Sequence, residues 1–209
     1  MVSNHFFAII ALVAGFLAAL NAHSAPPPAQ DPDWPCQQRL VPHLAAAAYW
    51  NGPPLESLGD WRDDATVADL VRRLAPRRVS TREGLSEIAA FVRTVSNDRP
   101  RRLALVFRGL LEATDRERAG LIEQLKEIGR RQHELADLVA RLASELNAIP
   151  PDAQGEAAAK RIDLQQRRDF TARNFEEIQR TIRYVCETPV ELDARLGAWA
   201  RALQEAASE

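Results

Sequence analysis

One stretch of the sequence, from Pro100 to Ile149, limits most strongly what this chain can fold into. Residues recur there in steps of four and three, a spacing that keeps one stripe of a helix facing a partner helix. Ten of the thirteen stripe positions are apolar: Phe107, Leu111, Thr114, Arg118, Leu121, Leu125, Ile128, Gln132, Leu135, Val139, Leu142, Leu146 and Ile149. No proline interrupts residues 101–149, so the sequence predicts a single helix about 75 Å long. Such a helix needs other parts of the chain to cover its stripe.

A second helical segment follows and supplies the partner. Pro150 and Pro151 end the first helix, because the residue before a proline is disfavoured in the α region. The apolar stripe resumes in the returning segment and continues past Pro189, where we expect a kink or a short break. A tight turn between the two segments makes them antiparallel and places Leu121 near Ile182.

Shorter helices are expected before the long one. Residues 40–50 contain four consecutive alanines and predict a short helix. Residues 64–74 carry apolar side chains at helical spacing, and either Asp63 or Asp64 can cap this helix. Ser80 and Glu83 have the spacing of a capping box and predict a helix that runs to about residue 95.

These patterns together predict an all-α fold, a small helical body with a long antiparallel coiled-coil-like helical hairpin. Residues 36–99 form the short helices of the body. Residues 100–209 form the hairpin, with its kink near Pro189. Three stripe positions of the long helix are polar, and a buried Arg118 among them would need an acidic partner.

The first residues indicate export from the cytoplasm. Residues 6–20 are an apolar run, too short for a comfortable membrane span, and Ala22-His23-Ser24 supplies small residues for cleavage. We therefore predict a signal peptide over residues 1–24, cut near Ser24, followed by a Pro-rich extended segment over residues 25–35. Retention of the run as an anchor is the alternative. All but two of the 27 basic residues are arginine, a bias typical of GC-rich genomes, and the favoured location is a bacterial periplasm or the exterior.

The two cysteines, Cys36 and Cys186, predict one disulfide bond. An even pair in an exported chain usually forms a structural bond. No Cys-x-x-Cys motif is present, so a redox role has no support.

The sequence contains no catalytic constellation that we can identify. It lacks a Gly-rich phosphate loop and a Gly-x-Ser-x-Gly motif. His133 and Asp137 share a helix face, but nothing points to a third metal ligand. We therefore expect no cofactor, no metal and no enzyme activity. The net charge of −2 argues against nucleic acid as the main partner.

Charge is unevenly distributed between two neighbouring segments. Residues 72–102 hold nine arginines against three acids, whereas residues 25–71 hold seven acids against two arginines. The two segments are expected to neutralise each other within the fold. The alternative is that the arginines contact an anionic membrane or an acidic partner. The candidate contact residues are Arg72, Arg73, Arg77, Arg78, Arg99, Arg101 and Arg102.

The distal half of the hairpin, residues 130–170, is the predicted association surface. The long helix carries more apolar side chains there than the charged returning helix is expected to cover. The candidate surface comprises Leu135, Val139, Leu142, Leu146 and Phe170. Folding back of the N-terminal helices over the stripe is the alternative.

The function that follows is a secreted or periplasmic, non-enzymatic helical interaction or scaffold protein, with a protein partner or self-association. Two alternatives stay open at the level of sequence. One is a peripheral membrane protein that docks through its Arg-rich face. The other is an enzyme with an unrecognised site.

Overall fold

The computed structural model describes residues 31–52 and 54–208. Within these ranges the chain is helical and has no strand, which confirms the all-α fold class. Five α-helices are present in them: α1 (Ala65–Leu74), α2 (Thr81–Thr94), α3 (Arg99–Asn147), α4 (Glu156–Val185) and α5 (Glu187–Ser208). Two short 3-10 turns, Ala46–Ala48 and Trp61–Asp63, precede α1.

The predicted signal peptide, residues 1–24, and the first part of the Pro-rich segment lie outside the described residues. Among the helices that are described, none is both long enough and apolar enough to cross a membrane.

The long helix predicted from the stripe is α3, which has 49 residues and is about 74 Å long. All thirteen stripe positions are buried or half-buried, and none is exposed. The period of 3.5 therefore marked the side of α3 that other elements cover.

Helices α4 and α5 return along α3 in the opposite direction. The end of α5 lies beside the start of α3, since Gln204 and Ser208 border the same crevice as Pro100. The break between α4 and α5 falls at Cys186, three residues before Pro189. Proline has no amide hydrogen, but the amides of the first turn of a helix make no hydrogen bond within the helix. Pro189 is therefore accommodated in the first turn of α5.

The main core forms at the base of the hairpin, where α1, α2 and α5 pack around the first half of α3. Trp199 of α5 and Phe107 of α3 are completely buried in it. Trp50 stacks on Phe107 with ring centroids 4.7 Å apart. Aromatic side chains of the N-terminal part thus fill the base of the bundle.

Two smaller clusters continue along the hairpin towards its tip. The middle cluster contains Ile122 of α3 and Ile182 of α4, so the residue after Leu121 takes the place that we predicted for Leu121 itself. The cluster near the tip contains Leu142, Leu146 and Leu164.

The prediction of a helix over residues 40–50 is wrong except for the 3-10 turn at Ala46–Ala48. The backbone amide of Leu44 donates to the Asp115 carboxylate of α3 at 2.7 Å instead of to a helical carbonyl. Residues 31–45, called the strap from here on, run over the surface of α3. Contacts with a distant helix thus outweigh the local helix propensity of the alanines.

A disulfide bond between Cys36 and Cys186 fixes the strap to the hairpin, with the two Cα atoms 5.6 Å apart. Next to it, the Gln38 amide donates to the Cys186 carbonyl at 2.6 Å, and the Trp34 indole donates to the Gln38 carbonyl at 2.8 Å. The bond spans 150 residues and stabilises the fold by about 5 kcal/mol in the chain-entropy model.

Asp64 joins the start of α1 to α3. Its carboxylate accepts hydrogen bonds from the Thr66 and Val67 amides and from the Arg102 guanidinium, whose Nε lies 2.8 Å away. Burial alone would raise the pKa of the Asp64 carboxyl, but the hydrogen bonds, chiefly that from Arg102, outweigh burial and lower the pKa well below its usual 3.8.

We expect Asp64 to make stability depend on pH. The folded state binds this proton more weakly than the unfolded state, so the stabilisation is complete above the unfolded pKa and is lost as pH falls through 3.8 towards the folded pKa. Asp64→Asn should lower the free energy of unfolding by about 1–2 kcal/mol at neutral pH. Urea denaturation from about pH 6 to about pH 3 should then show a shallower pH dependence than in the parent. Asp63→Asn, at the exposed neighbour, is the control, and equal pH profiles for Asp64→Asn and the parent would contradict the assignment.

Candidate partner-binding surface

Two residues of the predicted association surface are covered within the chain itself. Leu142 and Leu146 are 3% and 5% exposed and pack with Leu164 of α4. The expectation that they form free apolar surface is therefore wrong. Leu164 of α4, a helix otherwise rich in charged residues, packs against them. Leu135 and Val139 are half-buried.

Phe170, the fifth residue of the predicted surface, belongs instead to the outer side of α4. Its side chain is 60% exposed, and those of Ile162 and Tyr184 are 58% and 75% exposed. At about 100° per residue, the three positions fall within a sector of about 80° around the helix axis. The buried residues of α4 lie on the opposite side of the same helix: Leu164, Thr171 and Ile182. We call Ile162, Phe170 and Tyr184 the outer stripe.

Two arginines lie in the same sector between the apolar residues of the outer stripe. The spacing of i and i+4 along α4 would allow ion pairs of Arg173 with Asp169 and of Arg180 with Glu176. Asp169 pairs with Arg168 instead, at 2.5 Å, and Arg173 and Arg180 make no ion pair with any described residue. Exposed ion pairs of this kind contribute only a few tenths of a kcal/mol. An alternative side-chain arrangement, such as the pair of Arg168 with Asp169, therefore readily replaces them.

The sequence pattern of the outer stripe was available but was not recognised. Positions 162, 170 and 184 lie off the apolar stripe that faces α3, and their spacings of 8 and 14 residues return each to one face of the helix. A large apolar residue that recurs on the wrong side of an amphipathic helix is the signal that could have identified this surface.

Most of the arginines predicted to contact anions are engaged within the fold. Arg99 donates to the Val92 carbonyl. Four others form ion pairs: Arg72 with Asp69, Arg73 with Asp69 and Glu87, Arg101 with Asp98, and Arg102 with Asp64. Arg77, Arg78 and Arg99 make no ion pair within the described ranges, and of these three only Arg99 has the hydrogen bond given above. Neighbouring segments thus neutralise much of each other's charge.

The two histidines of the described residues lie on different elements. His43 of the strap is hydrogen-bonded to Asp115 at 3.2 Å, and His133 is exposed on α3. Over the residues that the structure describes, no group of three or more His, Cys, Asp or Glu side chains is placed to hold a metal ion.

Comparison with known proteins gives no family to which this chain can be assigned. No family model, no curated protein and no solved structure matches it.

Proposed function

We propose that the protein is an exported, non-enzymatic interaction protein that binds a protein partner on the outer face of α4. The observation that carries this proposal is the exposure of Ile162, Phe170 and Tyr184 on one side of a helix whose other side is buried. An apolar stripe in water is unfavourable in proportion to its area, and such surfaces usually mark interaction sites. The disulfide bond is consistent with an oxidising compartment.

The composition of this face indicates the chemistry of its partner. Aromatic and arginine side chains are the residue types that dominate binding energy at protein interfaces. Arg173 and Arg180 lie between the apolar residues and have no acid of the described chain to pair with. A partner that presents apolar side chains flanked by carboxylates would complement both features. We therefore infer that the partner is a different protein with an acidic, amphipathic surface.

The length of the outer stripe suits an extended partner element. Ile162 and Tyr184 are 22 positions apart on a continuous helix, which corresponds to about 33 Å. A partner helix of about 20 residues would contact the whole stripe. The disulfide bond fixes the strap to the hairpin, and the outer face of α4 stays accessible to a partner.

Site-specific photo-crosslinking in the living host tests this proposal. A photoreactive amino acid placed at Gln166 or Tyr184, within the outer sector, should give a cross-linked adduct of defined mass. The same amino acid at the exposed Gln165 or Gln179, on the flank of α4, should give none. The adduct should be lost when Phe170→Ala is combined with Arg173→Glu, because both the apolar contact and the charge complementarity are removed.

Three results would overturn the proposal. Equal cross-linking from the outer-face positions, Gln166 and Tyr184, and from the flank positions, Gln165 and Gln179, would show that contact is non-specific. An adduct with the mass of two copies of this chain would show self-association instead. Cross-linking unaffected by Phe170→Ala with Arg173→Glu, in a variant that is folded by circular dichroism, would place the partner elsewhere.

A further inference from the structure

A second feature of the molecule lies beside the strap and shares no residue with the outer stripe. A cleft of about 340 Å³ is bordered by the strap, the 3-10 turn that follows it, the middle of α3 and the first turns of α5. Its lining is mainly apolar and includes Trp34, Leu40, Leu44, Ala48, Ile122 and Val190. Small-molecule sites have this size and an apolar lining with a few polar groups that orient the ligand.

Arg118 of α3 is the polar group that distinguishes this cleft. It is 7% exposed and lines the cleft. Its Nη1 donates to the Val41 carbonyl at 3.3 Å, and its Nε has no hydrogen-bond partner among the described residues. Burial lowers the pKa of the Arg118 guanidinium, an effect that the charge of Asp115 opposes. An arginine nevertheless stays protonated in proteins, so a positive charge is buried there with most of its donors free.

The other deeply buried arginine shows what a structural role looks like in this fold. Arg195 of α5 donates to the carbonyls of Ala75, Pro76, Arg77 and Val79 at 2.9–3.4 Å. Those carbonyls lie at the end of α1 and in the loop that follows, where a cation complements the helix dipole. The Nε of each arginine lacks a partner among the described residues, so the difference lies in the acceptors, of which Arg118 has one against the four of Arg195.

The acidic side chains near the cleft are already engaged. Asp193 accepts a hydrogen bond from the Tyr49 hydroxyl. Asp115 accepts from the Leu44 amide at 2.7 Å and lies 3.2 Å from His43. Neither forms an ion pair with Arg118, although the charge of Asp115 acts on it from a greater distance. The direct acidic partner expected from the sequence is therefore missing among the described residues. A buried charge without a partner is costly, and a bound anion would remove that cost.

We propose that this cleft binds a small organic acid with one carboxylate and a compact apolar body. The carboxylate accepts hydrogen bonds from the Arg118 guanidinium, whose planar donors match its two oxygens. The apolar body lies against Leu40, Leu44 and Ile122. Because most of the lining is apolar and Arg118 is its buried arginine, with Arg39 exposed at the rim, a monocarboxylate fits better than a strongly hydrated phosphate. The site shares no residue with the outer stripe, so this proposal does not depend on the proposed protein partner.

Titration with benzoate, followed by the Arg Nε–H signals in nitrogen-15 NMR, tests this proposal on the intact protein. The Arg118 signal is assigned by its loss in Arg118→Lys. Benzoate should shift that signal saturably at concentrations up to about 10 mM. Benzamide has the same shape without the charge and should bind at least about tenfold more weakly.

Two variants and a control complete the test. Arg118→Gln should weaken benzoate binding about tenfold or more, measured by calorimetry. Ala48→Phe, at an exposed position that borders the cleft, should block the site while Arg118 and the fold stay intact. Arg39→Gln removes an exposed cation from the rim and should change affinity less than about threefold.

Several outcomes would overturn the proposal. They are equal binding of benzamide and benzoate, an Arg118 signal that does not shift, and unchanged binding in Ala48→Phe. If Arg118→Gln fails to fold, Ala48→Phe and the benzamide comparison still decide the question.

Discussion

Trp199→Ala is expected to lower the free energy of unfolding by about 3–5 kcal/mol, the range for removing a large aromatic side chain from a core. Trp199 is completely buried, and its indole donates to the Thr81 carbonyl at 3.0 Å. Its ring packs directly on Gly84 of α2, where an added Cβ atom would lie 2.3 Å from the ring. The Arg195 guanidinium covers the ring at 4.6 Å from its centroid.

The loss of this one side chain should therefore disturb three contacts at once. α2 would lose its main anchor on α5, the Thr81 carbonyl would lose its donor, and Arg195 would lose the surface on which it lies. Thermal or chemical denaturation of purified Trp199→Ala measures the effect. Tyr184→Ala is the control, because Tyr184 is 75% exposed and its loss should cost at most about 0.5 kcal/mol. Similar losses in both variants would show that α5 does not organise the core.

Gly129→Ala is expected to displace the strap from α3. A Cβ atom at position 129 would lie 2.0 Å from the carbonyl oxygen of Asp33. That oxygen belongs to the backbone of a segment pinned nearby by the Cys36 disulfide bond, so no rotation of a side chain relieves the overlap. The Trp34 amide donates to the Asp31 carbonyl at 3.0 Å. In Gly129→Ala the proton of this amide should exchange with solvent faster than in the parent protein.

Gly120→Ala provides the matched control in the same helix. No atom lies within 4 Å of a Cβ built there, so the change should stabilise the protein by up to about 1 kcal/mol through helix propensity alone. Since both variants share that gain, Gly129→Ala should be less stable than Gly120→Ala by about 1–3 kcal/mol, the cost of overpacking. Urea denaturation of the two variants gives the difference directly. Equal stability would mean that the strap does not rest on Gly129.

Local signals located the helices well because their causes are local. The side chain of Asp64 caps α1, and Ser80 and Glu83 form the capping box of α2. The stripe of α3 is covered throughout, since a period of 3.5 leaves one side of a helix apolar wherever its partner comes from. The end of α3 and the presence of a returning helix likewise follow from Pro150 and Pro151.

The strap and the covering of Leu142 and Leu146 could not be predicted from the sequence, for a common reason. Whether residues 40–50 become a helix depends on Asp115 and on the disulfide bond, which are distant in sequence. The covering of Leu142 and Leu146 depends on which way α4 turns Leu164, and a rotation of that helix would have exposed them. Relations between elements decide both features, and propensity within an element does not record them.

The sequence by itself determined the helical class, the long α3, the capping of α1 and α2 and the pairing of two lone cysteines. Each of these follows from spacing, capping chemistry or elimination within the chain. Only the tertiary structure decided that Arg118 is buried without an ion pair and that Arg195 donates to four carbonyls. Both residues are arginine, and what separates their roles is the set of neighbours that packing brings within about 4 Å.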